Sequence, residues 1–248
     1  MGLVSQGTTS AQTPAETLQR ANQGDAFAQH NLGVRYANGE GVAEDDAQAV
    51  AWYRKAADQG YAPAQYSLGS MYLEGRGVPR DSAQAMAWFR KSADQGNALA
   101  QYNLGVMYDT GHGVAQDFTQ AVAWYRKAAD QGHADAQYNL GSMYDTGEGV
   151  LDDDTQAVAW YRQAADQGYA PAQTSLGLMY ATGQGVAQDY VEAHKWRNLA
   201  ASRVTGDDQK QYADTRDATA KAMTSSQLAE AQKRAVEWQA AFEKRQAE

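Results

Sequence analysis

Along this chain apolar and small residues recur at spacings of three and four, in blocks broken by glycine, which is the pattern of amphipathic helices rather than strands. In residues 25–60, Ala28, Leu32 and Tyr36, with Gly33 beside them, mark the buried face of a first helix, helix A, predicted over Ala26–Asn38. Gly39 stands where a left-handed residue ends a helix, and Val42 follows to close that end with an apolar contact. A second helix, helix B, is predicted to start after Asp45, which with Gln48 has the spacing of a reciprocal capping box. Ala49, Trp52, Tyr53 and Ala56 form its apolar stripe, and Asp58-Gln59-Gly60 stops it.

This two-helix pattern returns intact. Tryptophan stands at 52, 88, 124, 160 and 196, a constant step of 36 residues, and the surrounding residues step with it. The units are 25–60, 61–96, 97–132, 133–168 and 169–204. Self-similarity at such a period is the mark of a stacked repeat array, so one elongated array is expected rather than one or two globular domains. Gly33 recurs as Gly69, Gly105, Gly141 and Gly177. A mid-helix glycine costs about 1 kcal/mol against alanine, so its recurrence predicts a close approach of helix A to helix B.

The ends depart from the unit. Thr13-Pro14-Ala15-Glu16 is a capping box with proline at the first helical position, and it opens an N-terminal capping helix over 13–24. Residues 1–12 read as a disordered leader; as written they hold no hydrophobic stretch of the kind a signal peptide needs. Residues 205–248 read as C-terminal capping helices, roughly 207–222 and 225–245, the second opened by Thr224 and Gln227. Leu228, Ala235, Trp238 and Phe242 would cover the last exposed face.

The repeated residues A-x-x-x-L-G-x-x-Y-x-x-G-x-G-V-x-x-D-x-x-x-A-x-x-W-x-x-x-A-A-x-x-G, carried by five copies between Asp25 and Val204 with Ser92 and Val204 as the departures, resemble the Sel1-like repeat, a relative of the tetratricopeptide repeat. The closing MTSSQLAEAQKRAVEW resembles a tail that follows bacterial Sel1-like arrays. The resemblance implies an all-α fold, a right-handed α/α superhelical solenoid of five 36-residue helix-turn-helix repeats whose A helices line a concave surface. It also implies an adaptor or scaffold role, without naming a shared partner.

Charge narrows the partner. The net charge of −9 argues against nucleic acid and against an anionic membrane, both of which need a basic face. A protein or peptide with basic residues fits better, and repeat four, with seven acids against one arginine, is the most acidic. No apolar run approaches the ~18 residues of a membrane span. The expected protein is soluble, cytoplasmic or, if a signal peptide has been removed, periplasmic or secreted. With no cysteine there is no disulfide, thiolate ligand or thiol nucleophile.

Binding residues are expected on helix A outside its packing stripe. One such register holds His30, Tyr66, Tyr102, Tyr138 and Thr174, and the next holds Asn31, Ser67, Asn103, Asn139 and Ser175. Tyrosine offers area and stacking, asparagine pairs with backbone amides, and together they could grip an extended peptide. The tyrosines could equally pack between neighbouring A helices. Glu74, Asp109, Asp135 and Asp145 would draw lysine or arginine to the groove.

Catalysis finds less support. A β-lactamase-like reading, acting on a cell-wall or peptide substrate, is the alternative, but the chain has no Ser-x-x-Lys and no Lys-Thr-Gly. His30, His112, His133 and His194 show no zinc spacing, and DTGEGVLDDD (145–154) lacks the ligand order of a calcium loop. No catalytic residue, metal or cofactor is expected.

Overall fold

The computed structural model describes residues 13–247, apart from the side chains of 207 and 208, so the expected leader over 1–12 lies outside the described residues. Among these residues the secondary structure is helical throughout, thirteen helices without a strand. A short α1 (Pro14–Asn22) precedes five A/B pairs. They are α2 (Ala26–Asn38) with α3 (Asp46–Asp58), α4 (Ala62–Glu74) with α5 (Ser82–Asp94), and α6 (Ala98–Thr110) with α7 (Phe118–Asp130). Then come α8 (Ala134–Thr146) with α9 (Asp154–Asp166) and α10 (Ala170–Thr182) with α11 (Tyr190–Arg203). Two further helices follow, α12 (Asp207–Ala220) and the longer α13 (Ser225–Ala247).

The helices form two compact units. One runs to Leu104 and takes in His112–Val114; the other comprises Gly105–Gly111 and the chain from Ala115 onward. Within each, helices pack on their sequence neighbours, α1 on α2, α2 on α3, α3 on α4 and α4 on α5 in the first. In the second, α7 to α11 pack likewise, and α12 and α13 both pack on α11.

Helix boundaries follow the capping residues. Thr13 and Glu16 form the reciprocal box at α1, and Thr224 and Gln227 exchange the same two bonds at α13. Gly39 ends α2 in the left-handed region at φ +70°. The capping of the B helices differs from expectation. Asp45 accepts the Gln48 N–H at 3.0 Å, but its own N–H donates to the Tyr36 carbonyl at 2.9 Å, so glutamine supplies no second arm. The same A-helix carbonyl serves Asp81, Asp117, Asp153 and Asp189. This bond ties the turn of each repeat to the helix before it.

The core follows the predicted stripes. Ala49, Tyr53 and Ala56 are buried on α3, and Trp88, Trp124, Trp160 and Trp196 are each less than a tenth exposed. Trp52, at the first repeat, is only partly buried and packs on Ala21, Ala28 and Leu32. Lysines cover the outer faces of the rings: Lys55 Nζ lies 3.7 Å from the Trp52 centroid, and Lys91 and Lys127 lie 3.8 Å from Trp88 and Trp124.

Glycine is required for close approach, as the recurrence predicted. A Cβ on Gly33, Gly69, Gly105 or Gly141 would stand 2.5–2.8 Å from the Tyr or Phe ring of the B helix in the same repeat. The second glycine of the turn meets backbone instead. A Cβ at Gly149, φ +73°, would lie 2.3 Å from the Phe118 carbonyl oxygen, whereas at Gly147, φ +72°, the nearest atom is 3.4 Å away. Both positions carry the left-handed strain that a side chain brings, about 1–3 kcal/mol, but only Gly149 adds a backbone clash. Gly149→Ala is therefore expected to lower the midpoint of urea unfolding further than Gly147→Ala, and equal midpoints would contradict the clash.

Buried glutamines join one repeat to the next. Gln29 donates to the Ala21 carbonyl at 3.1 Å and accepts from Gln59 at 2.7 Å. Gln65 donates to Ala57 O and accepts from Gln95; Gln137 donates to Ala129 O and accepts from Gln167. Each thereby adds a side-chain donor to a carbonyl that also accepts from the glycine N–H just past the preceding helix. Gln65→Leu would remove one donor to the Ala57 carbonyl, which keeps the Gly60 N–H, and one acceptor of the exposed Gln95 amide, which keeps the Lys91 carbonyl, so a loss of about 0.5–1.5 kcal/mol is expected. Chemical denaturation checks it; an unchanged midpoint would show that the amide adds nothing to the joint.

Candidate functional site

The helix-A residues singled out from the sequence lie in two separate units. In the first, His30 is half-buried, its ring centroid 5.5 Å from those of both Tyr53 and Tyr61, and its Nε2 3.2 Å from Ser67 Oγ. Tyr66 stacks at 5.7 Å on Phe89 of the B helix. Asn31, Tyr102 and Asn103 are half-exposed, and Glu74 is exposed at the end of α4. In the second unit the Tyr138 ring contacts Tyr161 at 5.6 Å and Tyr169 at 5.5 Å, with Asn139 half-exposed beside it.

The open question about these rings thus has a mixed answer. Each spans the gap between its own B helix and, for His30 and Tyr138, the residue opening the next A helix, while one side stays in reach of solvent. Burial raises the Tyr53 hydroxyl to about 12, and burial together with Asp145 raises that of Tyr161 still further. Both stay neutral, and Tyr161 donates to Asp145.

The acidic residues are held in different ways. Asp109 accepts from Tyr125 Oη at 3.0 Å and Asp145 from Tyr161 Oη at 3.2 Å. A phenol orients a carboxylate without cancelling its charge, so both keep their pull on cations. Asp135 lies 3.8 Å from His133 Nδ1. Among the described residues no cluster of His, Cys, Asp or Glu could hold a metal, and no helix is long and apolar enough to cross a membrane.

The histidines are dispersed. His112 Nε2 lies 3.0 Å from Ser82 Oγ, and His194 is buried in α11 with its Nδ1 unpartnered. Burial holds both His30 and His194 below the ordinary histidine value. A depressed folded value means that the unfolded chain takes the proton first, so these residues cost no stability above about pH 6.5 and destabilise progressively below it. The unfolding free energy is expected to fall between pH 7.5 and 5.5, less steeply in His30→Asn. An unchanged slope in that variant would remove His30 from the account.

The second unit also holds a feature not anticipated from the sequence. A cavity of about 270 Å³ opens at Thr174 and Ser175, the positions following Tyr138 and Asn139 in the two helix-A registers, and Tyr138 and Pro171 line it too. Gln211, Tyr212 and Thr215 of α12 complete it. The signal in the sequence was a pair of substitutions. Thr174 replaces the A-helix ring, and Arg197 replaces the B-helix ring found as Tyr53, Phe89, Tyr125 and Tyr161. Arg197 donates instead to Thr215 O and Thr219 Oγ1 of α12.

Comparison with known proteins places this architecture. The Sel1 repeat profile matches residues 26–61, 62–97, 98–133, 134–169 and 170–203. The chain is similar to the crystal structure of a protective antigen of uropathogenic Escherichia coli displaying an SLR fold, at 39% identity and a TM-score of 0.82, over 90% of this chain and 47% of that one. The chain thus spans about half the length of that relative. It is also similar to a Sel1 repeat protein from Oxalobacter formigenes, at 34% identity and a TM-score of 0.71, over 78% of this chain and 77% of that one. A search of curated proteins gave no match. Five matched repeats covering most of the chain and two such structural neighbours carry one conclusion: the chain belongs to the Sel1 repeat family.

Proposed function

We propose that this chain is a non-enzymatic interaction scaffold that binds protein or peptide segments on the A-helix faces of its repeats, favouring segments that carry lysine or arginine. Proteins of this family are commonly interaction scaffolds. The observation that carries the reading is the repeated half-exposed pair on helix A, Tyr66 with Ser67, Tyr102 with Asn103 and Tyr138 with Asn139. Rings already fixed by stacking lose little entropy on binding, and adjacent amides can pair with an extended backbone. Asp109 and Asp145, aimed by tyrosine hydroxyls, supply the preference for basic residues.

Peptide-display selection on the full chain tests this. Enriched peptides are expected to carry lysine or arginine, to shift amide signals on A helices, and to bind several-fold more weakly as salt rises from 50 to 500 mM. Asp145→Asn keeps an acceptor for Tyr161 and removes the charge, so it should weaken binding of peptides that footprint on α8 while leaving the melting temperature near that of the parent. Absence of enriched peptides, or footprints confined to B helices, would overturn the reading.

A further inference from the structure

We propose that the cavity at Thr174 is a receptor for one uncharged aromatic side chain, tyrosine in particular, of a peptide bound to the second unit. The inference rests on the scaffold reading and specifies what that face selects. Three rings of the register are each met by a B-helix ring: His30 by Tyr53, Tyr66 by Phe89 and Tyr138 by Tyr161, at 5.5–5.7 Å. In the fifth repeat neither ring is present, because Thr174 and Arg197 occupy the two positions. The Arg197 stem stands against Gly177, where the B-helix ring stands in the other repeats, and its guanidinium turns to α12, while the space beside Thr174, where the register loses its ring, stays open.

The size suits one side chain. At about 270 Å³ the cavity has about nine times the ~30 Å³ that a water molecule occupies in the liquid. Its chemistry is equally specific. No charged side chain lines it, so a lysine or carboxylate entering it would lose hydration without gaining a counter-charge. Aromatic surface comes from Tyr138 and Tyr212, an apolar edge from Pro171, and hydroxyls from Thr174, Ser175 and Thr215. A phenol ring uses all three: its faces against the tyrosines, its edge against proline and its hydroxyl among the hydroxyls. The Thr174 and Thr215 hydroxyls donate to backbone carbonyls of their own helices and so offer acceptor oxygens to a phenol O–H, which phenylalanine, though it fits the space, does not have.

The probe is N-acetyl-tyrosine methylamide, titrated by NMR into the full chain, with the phenylalanine, leucine and lysine analogues as comparators. Saturable binding of the tyrosine analogue, at least threefold tighter than the phenylalanine analogue and tenfold tighter than the other two, with contacts from its ring protons to Thr174 and Tyr212, is expected. Thr174→Tyr supplies the ring from the chain itself and should reduce binding at least tenfold. The ring contacts are read on the unaltered protein, so the test stands even if that variant folds poorly. Equal binding of all four probes, ring contacts elsewhere, or full binding to a folded Thr174→Tyr would overturn the proposal. Enriched peptides that footprint on A helices but leave this cavity empty would sink the receptor and keep the scaffold; failure to enrich any peptide would sink the scaffold itself.

Discussion

Replacing Trp196 by alanine is expected to cost about 3–5 kcal/mol, the range for removing a buried large aromatic side chain. The residue is 1% exposed, and its ring meets Trp238 of α13 edge-on at 5.7 Å. Trp238 stacks in turn on Phe242 at 5.0 Å, and the Arg203 guanidinium lies 5.2 and 4.5 Å from these two ring centroids. The substitution therefore removes the surface on which α13 rests as well as a core side chain. Two readouts follow. Urea unfolding should show the stability loss, and trypsin should cut after Lys233 and Arg234 well before it cuts the other helices of that unit. Trp52→Ala is the comparator, since Trp52 is only partly buried. A Trp196→Ala chain no less stable than Trp52→Ala, with α13 still protected, would refute the role given to this contact.

Gly105→Ala is expected to lose about 1–3 kcal/mol, although helix propensity alone would gain about 1. The added Cβ would stand 2.5 Å from Tyr125 Cδ1. Tyr125 has no exposed surface and donates its hydroxyl to Asp109, so its ring has no free direction in which to retreat. Gly177 provides the internal control. There the nearest atom is Arg197 Cγ at 2.8 Å, part of a flexible side chain, with the Ala193 carbonyl at 3.0 Å. A smaller loss is expected for Gly177→Ala, and thermal melts of the two variants decide. A Gly105→Ala chain that melts no lower than the parent would show that the two helices separate at little cost.

How much of this was legible in the sequence depends on whether the cause was local. Helix A of the first repeat spans Ala26–Asn38 as read, because its cap at Asp25 and its glycine stop at Gly39 are both local chemistry. The first arm of the Asp45 cap was legible for the same reason; the second went to the Tyr36 carbonyl, which only the folded turn brings near. The burial of Gln29, Gln65 and Gln137 has no local signal, since glutamine is polar and its partners lie eight and thirty positions away. Helical spacing alone does not say whether a helix-A ring packs or projects; His30, Tyr66 and Tyr138 pack on B-helix rings and are only partly buried. The cavity was out of reach because it is made by α12, whose placement on α11 follows from Arg197 and not from any repeat pattern.

The glutamine junctions have a consequence for how such a chain can change length. Each one carries its own plug and socket, an amide that reaches back and an oxygen that is reached, so a duplication or deletion of 36 residues between them recreates the same seam. The fifth repeat breaks the rule. Arg203 stands where Gln59, Gln95 and Gln167 stand in theirs, and the Gln173 oxygen is left buried without a donor. A unit inserted or excised upstream of Gln173 thus keeps the glutamine contacts of its joints, while beyond Gln173 the contacts are those of the arginine and tryptophan ending.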